Sequence, residues 1–498
     1  MKTKKLATLF LTALLVLSVL PFGAVAAPTA VTPTSTASIT VENAVKDDNL
    51  AAYRVIGITY DAGTNHLSYE WNSDFADFFA GTTEYNTTAY TVEQFAKLQN
   101  NSDPLKNLLA GLPNYIANKR IAPAATQTVA ADGTATFADL AMGEYFIRPT
   151  SSTSVYQLML QKIEPTVVDG TYKIDNEKFT AKKSEVTITK TADKTSVTKN
   201  EKVNYTITVD IPTYAANTTD KSFYVSDLLA EGLALDTASI AVKIDDVAVD
   251  AATYTLDTTA TTGYTFKFSV STDQYTNNWS ANGGKQLVIT YTATLNADDT
   301  TEVNTPETNT ATFDYSFYPY VENSHKQKTA SADVTTFAIK IDKYADDSSS
   351  TKLAKAKFDL YRTATQAEID AGTSVEIPHT AVKGIKLESG LVTDNNGSAT
   401  FEKYQANGTH YTYYLVETQA PSGYNILDHA VEVHFTDADV STTYGVYTVR
   451  ISNKTGFRLP ITGGTGTVIF TVIGIALMVG AVVLLVVSRK KSKANDNK

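Results

Sequence analysis

Two lysines in this 498-residue sequence stand where the alternation of side chains along a strand turns them inward. In Val186-Thr187-Ile188-Thr189-Lys190, Lys190 shares a face with Val186 and Ile188. In Phe337-Ala338-Ile339-Lys340-Ile341-Asp342-Lys343 it is Lys343, not Lys340, that shares the face of Phe337, Ile339 and Ile341. A lysine at a strand end ordinarily snorkels to water. Here an asparagine also recurs toward the end of each stretch that a lysine opens: Asn309 in Thr308-Asn309-Thr310-Ala311-Thr312-Phe313, and Asn453 in Val449-Arg450-Ile451-Ser452-Asn453. Glu417, on the face of Tyr413 and Leu415, adds an inward carboxyl group to the second set. Burial disfavours charge, so it lowers the pKa of a lysine and raises that of an acid. A buried lysine and a buried carboxyl group are therefore both biased toward their neutral forms.

The elements that must hold these residues read as strands. Apolar and polar residues alternate over 186–190, 203–209, 264–270, 286–294, 337–343 and 447–451, in runs rich in Thr, Val and Tyr and bounded by Asn, Asp and Gly. Period two with β-branched enrichment predicts antiparallel strands buried on one face, and hence a mainly β chain of tandem Ig-like sandwiches. The exception is 91–119, where Val92, Phe95 and Leu98, then Leu105, Leu108 and Leu109, follow helical spacing, with Asp103-Pro104 as a restart. This predicts a helical insertion in the first domain. Polar segments at 181–185 and 324–333 lead into fresh strand patterns, which divides the chain into domains at 27–184, 185–334 and 335–457.

Both ends are addresses. Lys2, Lys4 and Lys5 precede an apolar stretch over 6–20 and the small residues Ala24-Val25-Ala26, which predicts a signal peptide over 1–26, cleaved after Ala26. Residues 468–487 are 20 in a row without a charge, followed by Arg489, Lys490, Lys491 and Lys493, the pattern of a transmembrane helix with its basic tail in the cytoplasm. Just before it stands Leu459-Pro460-Ile461-Thr462-Gly463. Pentapeptide, apolar span and basic tail together, over 459–498, resemble the cell-wall sorting signal of Gram-positive bacteria. The resemblance implies that a sortase cysteine cuts between Thr462 and Gly463, holds Thr462 as a thioester and passes it to an amine.

Composition narrows the rest. The chain has no cysteine, which removes disulfides, thiolate metal sites and thiol catalysis. Residues 27–462 carry 34 basic and 52 acidic residues, a net charge of −18 that disfavours nucleic acid and anionic lipid. The six histidines are scattered; His429 and His434 would point to opposite faces of a strand, so no metal or other cofactor is expected. Neither a phosphate-binding Gly-rich loop nor a nucleophile elbow is present. Pairing Glu84 with Asp74 or Asp77 as glycosidase acids is less economical than surface solvation. An enzyme with turnover is not expected.

Residues 335–457 resemble a collagen-adhesin B-type domain. Leu353-Ala354-Lys355-Ala356-Lys357-Phe358-Asp359-Leu360 follows its L-a-G-A-x-F-x-L strand, with Lys355 where the family carries glycine, and Glu417 opens its E-T-x-A-P-x-G-Y box. Residues 185–334, with Ser226-Asp227-Leu228-Leu229-Ala230-Glu231-Gly232-Leu233, resemble the second domain of sortase-assembled backbone pilins. The resemblance implies self-generated isopeptide bonds from the first to the last strand of each sandwich, formed when a neutral lysine amine attacks while a protonated carboxyl donates to the asparagine carbonyl: Lys343 to Asn453 with Glu417 as acid, and Lys190 to Asn309 with Asp227, or Glu231 four residues on. It further implies an intersubunit bond from Thr462 to Lys182, in Phe179-Thr180-Ala181-Lys182-Lys183-Ser184, or else to Lys183. The expected function is the shaft subunit of a covalent surface pilus that supports adhesion. Its partners would be pilin-type and housekeeping sortases, other copies of the chain, accessory pilins, peptidoglycan and a host matrix or glycan ligand. A monomeric wall-anchored adhesin binding host matrix is the alternative.

Overall fold

The computed structural model describes residues 29–98, 102–296, 301–406, 411–456 and 465–495. The expected signal peptide at 1–26 and the pentapeptide Leu459–Gly463 lie outside the described residues. Buried apolar side chains gather in three main clusters that follow chain order: Val31 to Ala181, Val155 to Val334 and Phe337 to Ile451.

In the first unit the strand Asn49–Asp61 lies between His66–Trp71 and Gly143–Ser151, with Met159–Ile163 beyond. The helical insertion forms as Val92–Ala96, Asp103–Ala110 and Leu112–Lys119. Its first two helices are capped by side chains: Thr91 and Gln94 exchange bonds in a capping box, and Ser102 accepts from Leu105 N in the helix that opens Asp103-Pro104. Phe95, Leu105, Leu108 and Leu109 are buried as their spacing predicts. The sequence reading misses a further turn, Ala76–Phe79, which is too short to show a period. Aromatic packing holds it, with Phe79 stacked on Trp71 at 3.7 Å between ring centroids.

The second unit is a pair of five-stranded sheets. One runs Ile188–Ala192, Lys202–Asp210, Gln286–Leu295, Leu233–Ile244, Val247–Ala248; the other runs Thr255–Asp257, Phe266–Val270, Phe223–Leu228, Glu307–Ser316, His325–Val334. Val203, Tyr205, Ile207 and Val209 point inward from one sheet, and Val225, Phe268 and Phe313 meet them from the other. Burying each such side chain contributes about 1.5–3 kcal/mol. The polar stretch at 324–333 is a strand, not a link. As an edge strand with one face in water it lacks the apolar alternation that marks its neighbours. Asn309 therefore sits on the penultimate strand, opposite Ala332, and not on the last one as expected.

In the third unit Phe337–Ala345 lies between Ser398–Tyr404 and Val446–Asn453. Its pairing with Val446–Asn453 is parallel, against the antiparallel expectation. Parallel neighbours need a long crossover, and here the whole unit between its first and last strands provides one. The facing sheet runs Val375–Glu376, Lys383–Val392, Lys357–Thr363, Tyr413–Gln419, Val431–Val433. Lys355 has φ +65°, the left-handed conformation that glycine tolerates best, which gives a physical reason for a glycine there in the resembled domains. After the third unit comes the helix Thr465–Asn495, whose stretch Thr471–Arg489 has a mean hydropathy of 2.7.

Candidate functional site

Each of the two inward lysines meets a carboxyl group and an asparagine in a dry core. In the second unit Lys190 leaves the edge strand Ile188–Ala192 and crosses to the facing sheet, where Phe223–Leu228 carries Asp227 and Glu307–Ser316 carries Asn309. The Lys190 and Asp227 side chains are 0% exposed. Lys190 Nζ donates to Asp227 Oδ2 and, at 2.5 Å, to Asn309 Oδ1. Tyr291, from Gln286–Leu295, donates to Asp227 Oδ1 at 2.9 Å and accepts from Asn309 Nδ2 at 2.7 Å. Tyr205 stacks on Tyr291 with ring centroids 5.4 Å apart, and Lys190 Nζ lies over both rings, so apolar faces wall the amine.

Burial pushes the Lys190 ammonium down to about 8, against the opposing pull of Asp227, and pushes the Asp227 carboxyl up, against Lys190 and Tyr291. Both shifts favour the neutral pair. Asp227 is thus the carboxyl group in reach, while Glu231 points to solvent.

In the third unit the register does the positioning. Lys343 pairs with Ile451 and Ala345 with Asn453, which sets Lys343 and Asn453 on one face of adjacent parallel strands. Glu417 reaches them from the opposite sheet; its carboxylate lies 3.8 Å from Lys343 Nζ, and both side chains are 0% exposed. Asn453 Nδ2 donates to Glu417 Oε2 at 2.7 Å and to the Asn425 carbonyl at 2.6 Å, and Leu427 N donates to the same carboxylate oxygen at 2.9 Å. Lys343 Nζ donates to the Ile451 carbonyl at 3.3 Å, and burial pushes its pKa down to about 8. Glu417 Oε1 and Asn453 Oδ1 are buried with no hydrogen-bond partner, a condition that folded cores ordinarily avoid.

The carboxyl groups face differently from the expectation. Neither donates to an asparagine carbonyl; Glu417 touches the amide nitrogen directly, and Asp227 reaches it through Tyr291. The sequence reading missed Tyr291. Its signal was present: it alternates with Leu287 and Ile289, so its ring points inward, and a buried tyrosine hydroxyl requires a partner.

The two candidate linkage lysines differ sharply. Lys183 is 10% exposed in its side chain and ion-paired with Glu185 at 2.9 Å. Lys182 is exposed and lines a cleft of about 220 Å³ with Leu105, Leu109, Leu158 and Phe179. Among the described residues no cluster of three or more His, Asp or Glu could hold a metal ion.

Comparison with known proteins agrees with this layout. Residues 337–449 match the SpaA family, described as a prealbumin-like fold domain, and residues 451–493 match the LPXTG cell wall anchor motif. A curated relative, the fimbrial subunit type 1 of Actinomyces viscosus, is 29% identical over 163 residues, and the chain spans 30% of its length. Among solved structures, the T6 backbone pilin of serotype M6 Streptococcus pyogenes superposes with a TM-score of 0.56 at 18% identity, covering 82% of this chain and 81% of that one. The major pilins SpaD and SpaA of Corynebacterium diphtheriae give 0.55 and 0.52, both at 17% identity. They cover 86% and 84% of this chain, and 99% and 100% of their own. At these identities the likeness is one of fold. The chain is therefore a cell-wall-anchored, pilin-like surface protein, with a SpaA-type prealbumin-like domain joined to an LPXTG anchor on a multi-domain β fold shared with major pilins.

Proposed function

We propose that the chain is the structural shaft subunit of a covalent cell-surface pilus, joined end to end by sortase and clasped internally by two lysine–asparagine isopeptide bonds. The observation that carries this reading is the pair of buried clusters, each uniting a lysine from a unit's first strand with an asparagine near its end, beside a carboxyl group. In each, the neutral lysine amine attacks the asparagine Cγ, the Cγ–Nδ2 bond breaks, and the amine proton ends on the departing nitrogen as ammonia leaves. Asp227 and Glu417 serve as the acids. The units would be the domains 27–184, 185–334 and 335–457.

Joining one subunit to the next requires an amine open to solvent. Exposed Lys182 meets that need, and Lys183, held by Glu185, does not. In this reading a pilin-type sortase transfers Thr462 to Lys182 of the next copy, and a housekeeping sortase moves the last subunit to peptidoglycan. Accessory pilins and a host matrix or glycan ligand would complete the adhesive organelle.

Immunoblots of wall extracts test the polymer. SDS-resistant ladders are expected, and Lys182→Ala should reduce them to a wall-attached monomer while Lys183→Ala leaves them intact. A single band from the unaltered protein would instead favour a monomeric wall-anchored adhesin.

A further inference from the structure

One hydrogen-bonding partner in the second unit belongs to neither the nucleophile nor the acid. Tyr291 stands between Asp227 Oδ1, at 2.9 Å, and Asn309 Nδ2, at 2.7 Å, the nitrogen that condensation must expel. In the third unit no such bridge is needed, because Glu417 Oε2 itself receives Asn453 Nδ2 at 2.7 Å. The difference follows from side-chain length. Aspartate is one methylene shorter than glutamate, and the two oxygens of Asp227 are engaged by Lys190 and Tyr291, so its link to the amide nitrogen runs through the phenol. That phenol is held in place: Tyr291 is 2% exposed, stacked on Tyr205 and met edge-on by Phe266 at 5.1 Å.

We propose that Tyr291 is a catalytic residue of the second unit, relaying a proton from Asp227 to the departing nitrogen of Asn309. The inference rests on the condensation proposed above. Asp227 is neutral at the outset with its proton on Oδ1; the Tyr291 hydroxyl, which donates to that oxygen and accepts from Nδ2 in the geometry above, turns to accept from Oδ1 and donate to Nδ2 once attack has made that nitrogen pyramidal. As the Lys190 Nζ–Asn309 Cγ bond forms and the Cγ–Nδ2 bond breaks, the Tyr291 hydroxyl gives its proton to Nδ2 and takes the one on Asp227 Oδ1. Asp227 Oδ2 then accepts a proton from Lys190 Nζ. The products are the amide, ammonia, and Asp227 and Tyr291 both neutral, so atoms and charge balance. The third unit carries out the same exchange with one group fewer.

The test follows both bonds in one molecule. Full-length chain is pulse-labelled in a host without sortase, digested with trypsin, and analysed for the branched peptides that join Lys190 to Asn309 and Lys343 to Asn453. Loss of a general acid costs typically 10²–10⁴ in rate. Tyr291→Phe should therefore slow the first branched peptide by at least about 100-fold, while the second forms at its usual rate. Tyr254→Phe, which removes a hydroxyl from the same unit away from the cluster, should slow neither.

Formation of the first peptide at the unaltered rate in Tyr291→Phe would overturn the relay. Its absence from the unaltered protein would overturn the condensation instead. Should Tyr291→Phe fail to fold, fluorinated tyrosines placed at position 291 keep the ring and vary the acidity of its hydroxyl. A rate that tracks that acidity supports the relay, and one indifferent to it overturns the proposal.

Discussion

Replacing Glu417 by Gln removes the acid of the third cluster while keeping its shape. Glu417 Oε2 receives N–H groups from Asn453 and Leu427, and an amide oxygen can accept the same two, so the packing persists while proton exchange is lost. The expected result is a third unit in which Lys343 and Asn453 stay apart. Those residues are 110 positions apart, and the chain-entropy relation for a cross-link closing such a loop gives about 5 kcal/mol. For a unit of roughly 120 residues that corresponds to a fall of about 15–25 °C in its unfolding midpoint. Intact mass and thermal unfolding of residues 27–462 provide the assay. Each condensation releases ammonia, so the unaltered protein should fall about 34 Da short of its sequence mass and Glu417→Gln about 17 Da short. Asn453→Ala should match it, and the double variant should cost little more than either alone, because one bond is lost in all three. A Glu417→Gln protein with the full mass deficit and an unchanged midpoint would refute the reasoning.

Two further outcomes are expected of residues outside the clusters. Lys355→Gly should raise the stability of the third unit by about 0.5–1 kcal/mol in denaturant titration, since φ +65° strains any residue with a Cβ. His325, hydrogen-bonded by Asp220 and Asp314, is held up to about 9 by those carboxylates against the effect of burial. A folded pKa raised above the unfolded one contributes stability that is complete below about 6.5 and lost as pH rises through about 9. Stability of the second unit should therefore fall by about 1–3 kcal/mol across that window. Chemical denaturation at a series of pH values should show the slope flattened in His325→Gln, and an unchanged slope would count against the ion pairs.

What the sequence disclosed is what strict alternation can carry. Lys190, Lys343 and Glu417 are buried on the faces that period two assigns them, and Lys340 is not. Alternation has no direction, so the parallel pairing of Phe337–Ala345 with Val446–Asn453 could not be read from it. It also fails where neither face of a strand is apolar, which hid His325–Val334 and shifted Asn309 off the last strand. The choice between Asp227 and Glu231 needed three dimensions: a spacing of four puts both on one face of a strand, but Phe223–Leu228 ends before Glu231. Tyr291 was masked for another reason, since an inward tyrosine looks like any core aromatic until the target of its hydroxyl is known.

The off-centre seat of Asn309 has a mechanical consequence. With both clasps closed, a pull along the fibre would pass from residue 343 straight to 453 in the third unit, and everything threaded between them would be slack. In the second unit the shortcut would end at 309, leaving 310–334, including the edge strand His325–Val334, in series with the force. Residues 310–316 are paired on both sides and stay with the core, but 317–334 could peel from the sheet, pay out to about 60 Å and re-zip on release, giving each subunit a short reversible spring between two inextensible struts.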